Sequence, residues 1–244
     1  MDTIINVENL SKTYADVPSV NCISFTVGRG EIFGLLGANG AGKTTTVECI
    51  LGTKKPDNGK ATVLGMLPHK NRKALFERVG VQFQESHYPD KIRVSELCDV
   101  TMSLYKAPQD YVGLLNQFGL SDKHKSFVSE LSGGEKQRLF IVLALIPNPD
   151  VLFLDELTTG LDARARRDLW KRLAALKKKG PSILLTSHFM DEVEALCDRI
   201  MILKKGSCVF HGTVQEAVAA SSYDKFEDAY LWYSDEEEIQ YENI

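Results

Sequence analysis

Residues 37–44 read GANGAGKT and match the pattern G-x-x-x-x-G-K-[ST]. Such a match arises by chance in about one chain of this length in a hundred. An apolar run before it and helical spacing after it lower those odds further. Glycine lets a backbone wrap closely round a polyphosphate, and N–H groups at a helix start point at the anion. Lys43 brings charge to the terminal phosphates, and the Thr44 hydroxyl can ligate Mg2+. The bland alternative is a glycine-rich turn closed by a helix, and the chance frequency weighs against it. The stretch predicts nucleoside triphosphate binding by Gly37, Asn39, Gly40, Ala41, Gly42, Lys43 and Thr44.

Asp155 and Glu156 follow the apolar run VLFL. A buried strand would deliver them to the carboxyl end of a sheet, where α/β folds place ligands. There Asp155 can hold Mg2+, usually through water, and Glu156 can polarise an attacking water. Two acids after a strand are by themselves more often a loop start or helix cap; beside a phosphate loop, catalysis is the better reading. A second glycine-rich stretch, LSGGEKQR at 131–138, runs into LFIVLALI. Ser132 and Glu135 have the spacing of a capping box. With Gly133 and Gly134 they also form a helix N-terminus suited to an anion but lacking a lysine.

The elements that must position these residues are legible in outline. TIINV and SVNCISFTV are β-branched and read as strands, with the turn-like SKTYADVP between them. EIFGLLG is a strand entering the phosphate loop, and Val47, Ile50 and Leu51 suit the helix after it. From about 90 to 146 the spacing turns helical, with Val94, Leu97, Val100 and Leu104 on one expected face and Gly119 ending a second helix. Beyond 150, VLFL, ARRDLWKRLAALKKK, SILLTS and DEVEALC alternate strand and helix before the hairpin-like IMILKKGSCVF. The alternation predicts an α/β fold with a mainly parallel sheet covered on both faces. An antiparallel β subdomain would precede it, and an α-helical subdomain would be inserted at about 85–150. Residues 1–220 would form one ATP-binding domain and 221–244 a short acidic, solvated tail.

Bulk properties narrow the function classes. With 43% hydrophobic and 25% charged residues, the 244-residue chain has the composition of a soluble globular protein. A net charge of −4 supplies no global basic field, so no nucleic-acid partner is expected. No apolar run approaches the roughly 20 residues of a membrane span, and no signal peptide is expected at the N-terminus. Five scattered cysteines without a C-x-x-C pair fit free thiols in a reducing cytosol.

The series GANGAGKT, Gln84 in VQFQE, LSGGEKQR, VLFLDE, TTGLD and His188 in LLTSH, in that order, resembles the ATP-binding cassette (ABC) family over nearly the whole chain, from Ile4 to about Gly212. Its nearest flavour resembles the ATPase subunits of bacterial drug, antibiotic or peptide exporters. The resemblance implies a P-loop NTPase core binding ATP and Mg2+. Tyr14 would stack on adenine, its bland alternative being a half-buried turn tyrosine. Gly40, Gly42, Lys43, Thr44 and Thr45 would cradle phosphates and metal; Gln84 would touch Mg2+ or the attacking water, alongside Thr44 and Asp155. Glu156 would be the general base, and His188 would contact the γ-phosphate. Ser132, Gly133, Gly134 and Glu135 would complete the ATP site of a second subunit in a head-to-tail dimer. Asp162 would cross to that partner, while also reading as a helix N-cap. A separate membrane permease would hold the subunits at the inner face of the membrane and choose the cargo. Leu157 departs from the proline that commonly follows the catalytic glutamate in this family. The competing readings are a soluble ABC protein acting on ribosomes or nucleic acid and a stand-alone kinase or GTPase.

Overall fold

The computed structural model describes residues 2–82, 88–89, 91–177 and 180–234. The chain opens with a hairpin of β1 (Thr3–Tyr14) and β2 (Val17–Gly28). Only Ala15 and Asp16 form its turn, with φ of 43° and 66°, and two positive-φ residues match the twist of paired strands. SKTY, expected in the turn, therefore stays in β1, where Thr13 faces Pro18 and Tyr14 faces Val17.

Next come β3 (Ile32–Leu36), α1 (Lys43–Leu51), β4 (Asn58–Val63), α2 (Arg72–Phe76) and β5 (Val79–Gln82). A helical stretch of α3 (Val94–Ser103), α4 (Tyr111–Gln117) and α5 (Gly133–Leu145) leads to β6 (Val151–Asp155), α6 (Ala163–Lys177) and β7 (Ser182–Ser187). The described chain closes with α7 (Met190–Leu196), β8 (Arg199–Lys204), β9 (Ser207–Gly212), α8 (Val214–Ala219) and α9 (Phe226–Ser234).

These strands form two sheets, an antiparallel one of order β2-β1-β4 and a six-stranded one of order β5-β6-β7-β3-β8-β9. In the second sheet only β9 runs antiparallel, against β8. The strands β3, β6 and β7 are buried at every position, which is why they read as continuous apolar runs rather than alternations. One apolar cluster joins this sheet to the helical stretch, a second lies between the two sheets and α1, and a third gathers α7, α8 and α9. No helix among the described residues is long and apolar enough to cross a membrane.

Two further expectations change. Val100 and Leu104 are exposed, because α3 buries the line through Val94, Leu97 and Cys98 instead. Residues 226–234 are not a solvated tail: α9 buries Phe226, Ala229 and Tyr230 against Val193, Ile200 and Ala217. With Tyr233 these residues fall at i, i+3, i+4 and i+7, a helical stripe hidden by the acids between and after them. Burying Phe226 alone contributes about 2 kcal/mol. Residues 235–244 lie outside the described residues.

Candidate nucleotide-binding and catalytic site

The site follows from strand order. Because β6, β7 and β3 are neighbours and parallel, their carboxyl ends open on one edge of the sheet. In register, Leu36 faces Ser187 and Asp155 faces Thr186. The segments starting at Gly37, Glu156 and His188 consequently leave the sheet side by side.

The loop after β3 is shaped by glycine at two crowded points. At Gly37 (φ 152°) a Cβ would lie 2.6 Å from the Leu203 carbonyl oxygen, and at Gly42 (φ 100°) it would lie 2.2 Å from that of Ser19. Beyond the loop α1 begins at Lys43, which is only 5% exposed. Its Nζ donates to the carbonyls of Gly37 at 2.8 Å and Ala38 at 3.3 Å and stands 3.5 Å from Glu156 Oε1. A buried ammonium needs such partners. Thr44 is exposed, and the Thr45 hydroxyl accepts from Ser19 Oγ at 3.0 Å. Ser19, Asn39, Gly40, Gly42, Lys43, Thr44, Thr45 and Glu156 line a cleft of about 320 Å³.

Asp155 ends β6, 5% exposed, and Thr186 Oγ1 donates to its Oδ1 at 2.5 Å. Burial lifts the Asp155 carboxyl above the ordinary carboxylate range and the Glu156 charge adds to the rise, while Thr186 and Lys43 work against it. Thr186 Oγ1 also accepts the Glu156 N–H at 3.0 Å, so one hydroxyl ties both acids to β7. Glu156 has φ 47° and places Oε1 3.7 Å from His188 Nδ1. A proline at 157 would drive residue 156 towards extended backbone; Leu157 leaves that conformation open and is itself buried in the core.

The remaining expected residues are distributed as follows. Tyr14 ends β1 and is exposed, with Lys12 Nζ 5.4 Å from its ring centre; it is not among the residues lining the cleft. Ser132 and Glu135 cap α5, the Ser132 N–H donating to Glu135 Oε2 at 2.8 Å and the Glu135 N–H to Ser132 Oγ at 3.3 Å. A Cβ at Gly133 would lie 3.9 Å from Leu161 and one at Gly134 3.3 Å from Ala165, and none of residues 132–135 lines the cleft. Asp162 is exposed and caps α6, its Oδ1 accepting from the N–H groups of Arg164 and Ala165, both at 2.9 Å. Gln84 lies outside the described residues. Ser19 and Thr186 were not foreseen: each is a small polar residue within a strand, and only the tertiary structure brings Ser19 to Thr45 in the cleft and Thr186 to Asp155.

The oxygen donors of Thr44 and Asp155 suit a hard cation. Among the described residues no group of three His, Cys, Asp or Glu side chains could hold a metal.

The chain resembles known proteins in sequence and in fold. The family model described as "ABC transporter" matches residues 20–159, more than half of the chain. Nod factor export ATP-binding protein I of Rhizobium etli is 41% identical over 221 residues, covering 88% of this chain and 70% of that protein. Its counterpart in Rhizobium meliloti is 44% identical over 214 residues, covering 85% and 64%. The chain thus spans about two thirds of the length of these relatives. A solved ATP-binding subunit of an ABC transporter superposes with a TM-score of 0.84 at 26% identity, covering 94% of this chain and 99% of that one. By sequence and by fold, the chain belongs to the ABC transporter family, as an ATP-binding, ATP-hydrolysing subunit.

Proposed function

We propose that the chain powers export through a separate membrane permease by closing and reopening a head-to-tail pair of ATP-binding subunits. The observation that carries this reading is the convergence of Lys43, Glu156 and His188, with Asp155 behind them, at the ends of three adjacent parallel strands. The helix start at Ser132 does not line the cleft, and a capped N-terminus with two glycines suits the nucleotide of a second subunit. Export is supported by the named role of the Nod factor relatives.

In this reading Gly37, Asn39, Gly40, Ala41 and Gly42 wrap the phosphates, and Tyr14 stacks on the base. Lys43 leaves its own loop carbonyls and Glu156 for the β- and γ-phosphates, freeing the glutamate to take a proton from water. His188, beside Glu156, orients that water and the γ-phosphate. Thr44, Thr45 and Asp155 form the oxygen-rich face that would hold Mg2+, with Gln84 assigned to the same ion by the family resemblance; the ion supplies charge neutralisation along the phosphates when bound. Ser132, Gly133, Gly134 and Glu135 present N–H groups and a capped helix end to the partner's ATP, while Asp162 reaches across the same interface. The helices within 85–150 carry the motion of the ATP-binding unit to the permease. Glu156→Gln tests the scheme: ATP should convert it from monomer to a long-lived dimer in size-exclusion chromatography. A monomer that still hydrolyses ATP would refute the base assignment.

A further inference from the structure

Glu192 is, besides Lys43 and Asp155, the only charged side chain buried among the described residues, at 1% exposure. It stands in the first turn of α7, four residues after His188. Trp170 Nε1 on α6 donates to its Oε1 at 3.1 Å. Burial lifts its carboxyl above the ordinary range and Asp191 adds to the rise, while the Ser187 hydroxyl, the Trp170 indole and the Thr158 hydroxyl pull the other way. Thr158 is fully buried, and its hydroxyl closes no hydrogen bond. Holding a carboxyl in such a place is costly, and for packing alone an apolar side chain serves at least as well.

What the carboxyl adds is a junction. Ser187 directly precedes His188, Thr158 follows Glu156 by two residues, and Trp170 lies on the helix capped by Asp162. The same helix grips the His188 loop from outside: Arg166 lies over the Phe189 ring at 4.9 Å and 3.6 Å from Asp191, and Phe189 packs on His188 with ring centres 4.2 Å apart. We propose that Glu192 is a positioning residue for ATP hydrolysis, tying the start of α7 to Trp170 on α6 and so fixing His188 relative to Glu156. The proposal rests on the reading that His188 and Glu156 act on the γ-phosphate and its attacking water.

The test is steady-state ATPase kinetics with nucleotide-binding and thermal-melting controls. Glu192→Leu keeps apolar volume and removes the acceptor; Trp170→Phe removes only the indole donor and carries the test if the first variant does not fold. Both should lower kcat, Glu192→Leu by roughly 10- to 100-fold as for a misplaced catalytic group, with KM and ATP affinity unchanged. Glu192→Gln can still accept from Trp170 and should keep most of the turnover. Adding Glu192→Leu to His188→Ala should cost little beyond His188→Ala alone, because the two act as a unit. Wild-type kcat in folded Glu192→Leu or in Trp170→Phe, or multiplicative losses in the double variant, overturns the proposal and leaves the His188 reading intact. Wild-type hydrolysis by His188→Ala overturns both.

Discussion

Thr186→Val removes one hydroxyl and leaves the shape of the side chain. In the wild type that hydroxyl donates to Asp155 at 2.5 Å and accepts the Glu156 N–H at 3.0 Å. The N–H keeps a second acceptor, the Thr186 carbonyl oxygen at 3.2 Å, so the main loss falls on the buried Asp155 carboxylate. A hydrogen bond to a charged group contributes about 1.5–3 kcal/mol. For a domain of this size that corresponds to roughly 3–12 °C in Tm. The pH dependence has a definite sign. Burial raises the Asp155 pKa, so ionising it opposes folding, and the associated stability is complete below the unfolded pKa and lost as pH rises through the folded one. Valine takes away the bond that eases this ionisation, so the variant should fall furthest behind at neutral to alkaline pH. The gap should narrow towards the ordinary carboxylate range near about 3.9, where only a neutral hydrogen bond of about 0.5–1.5 kcal/mol is at stake. Thermal melts of both proteins across that range provide the assay. Equal Tm values at pH 7.5, or a gap that is constant or widens on acidification, would refute the reasoning.

Two other outcomes follow from backbone geometry. Ser132→Arg should lose about 1 kcal/mol as a helix cap and spare ATP binding by the monomer, yet abolish hydrolysis at any protein concentration; retained turnover would reduce the stretch to a cap. Gly42→Ala combines left-handed strain of roughly 1–2 kcal/mol with a Cβ 2.2 Å from the Ser19 oxygen, whereas Gly40→Ala (φ 81°) meets open space. Melting should therefore show Gly42→Ala clearly less stable than Gly40→Ala, and equal Tm values would contradict that loop geometry.

How much of this was legible beforehand differs from residue to residue. GANGAGKT, VLFLDE and LSGGEKQR were readable because each is a local device: a loop, a strand end and a helix cap formed by neighbours in sequence. The caps at Ser132 and Asp162 needed only three or four residues and appear as read. The helical stripe of α9 was also present in sequence, but acidic residues between its apolar ones disguised it. Thr186, Ser19 and Glu192 could not be singled out. Each is an ordinary polar residue until a partner 22 to 31 positions away in sequence arrives within hydrogen-bond reach.

The sequence alone determined the chemistry on offer: glycines that permit positive φ, a lysine and threonine at a helix start, two acids at the end of an apolar strand. Those properties are set by side-chain type and by rules that act over a few residues. Only the tertiary structure decided which groups meet. The strand order β6-β7-β3 puts Lys43, separated in sequence by more than a hundred residues from Glu156, 3.5 Å from its carboxylate. Hydrogen bonds and ion pairs act over a few ångströms, whereas sequence separation says nothing about distance until the sheet has closed.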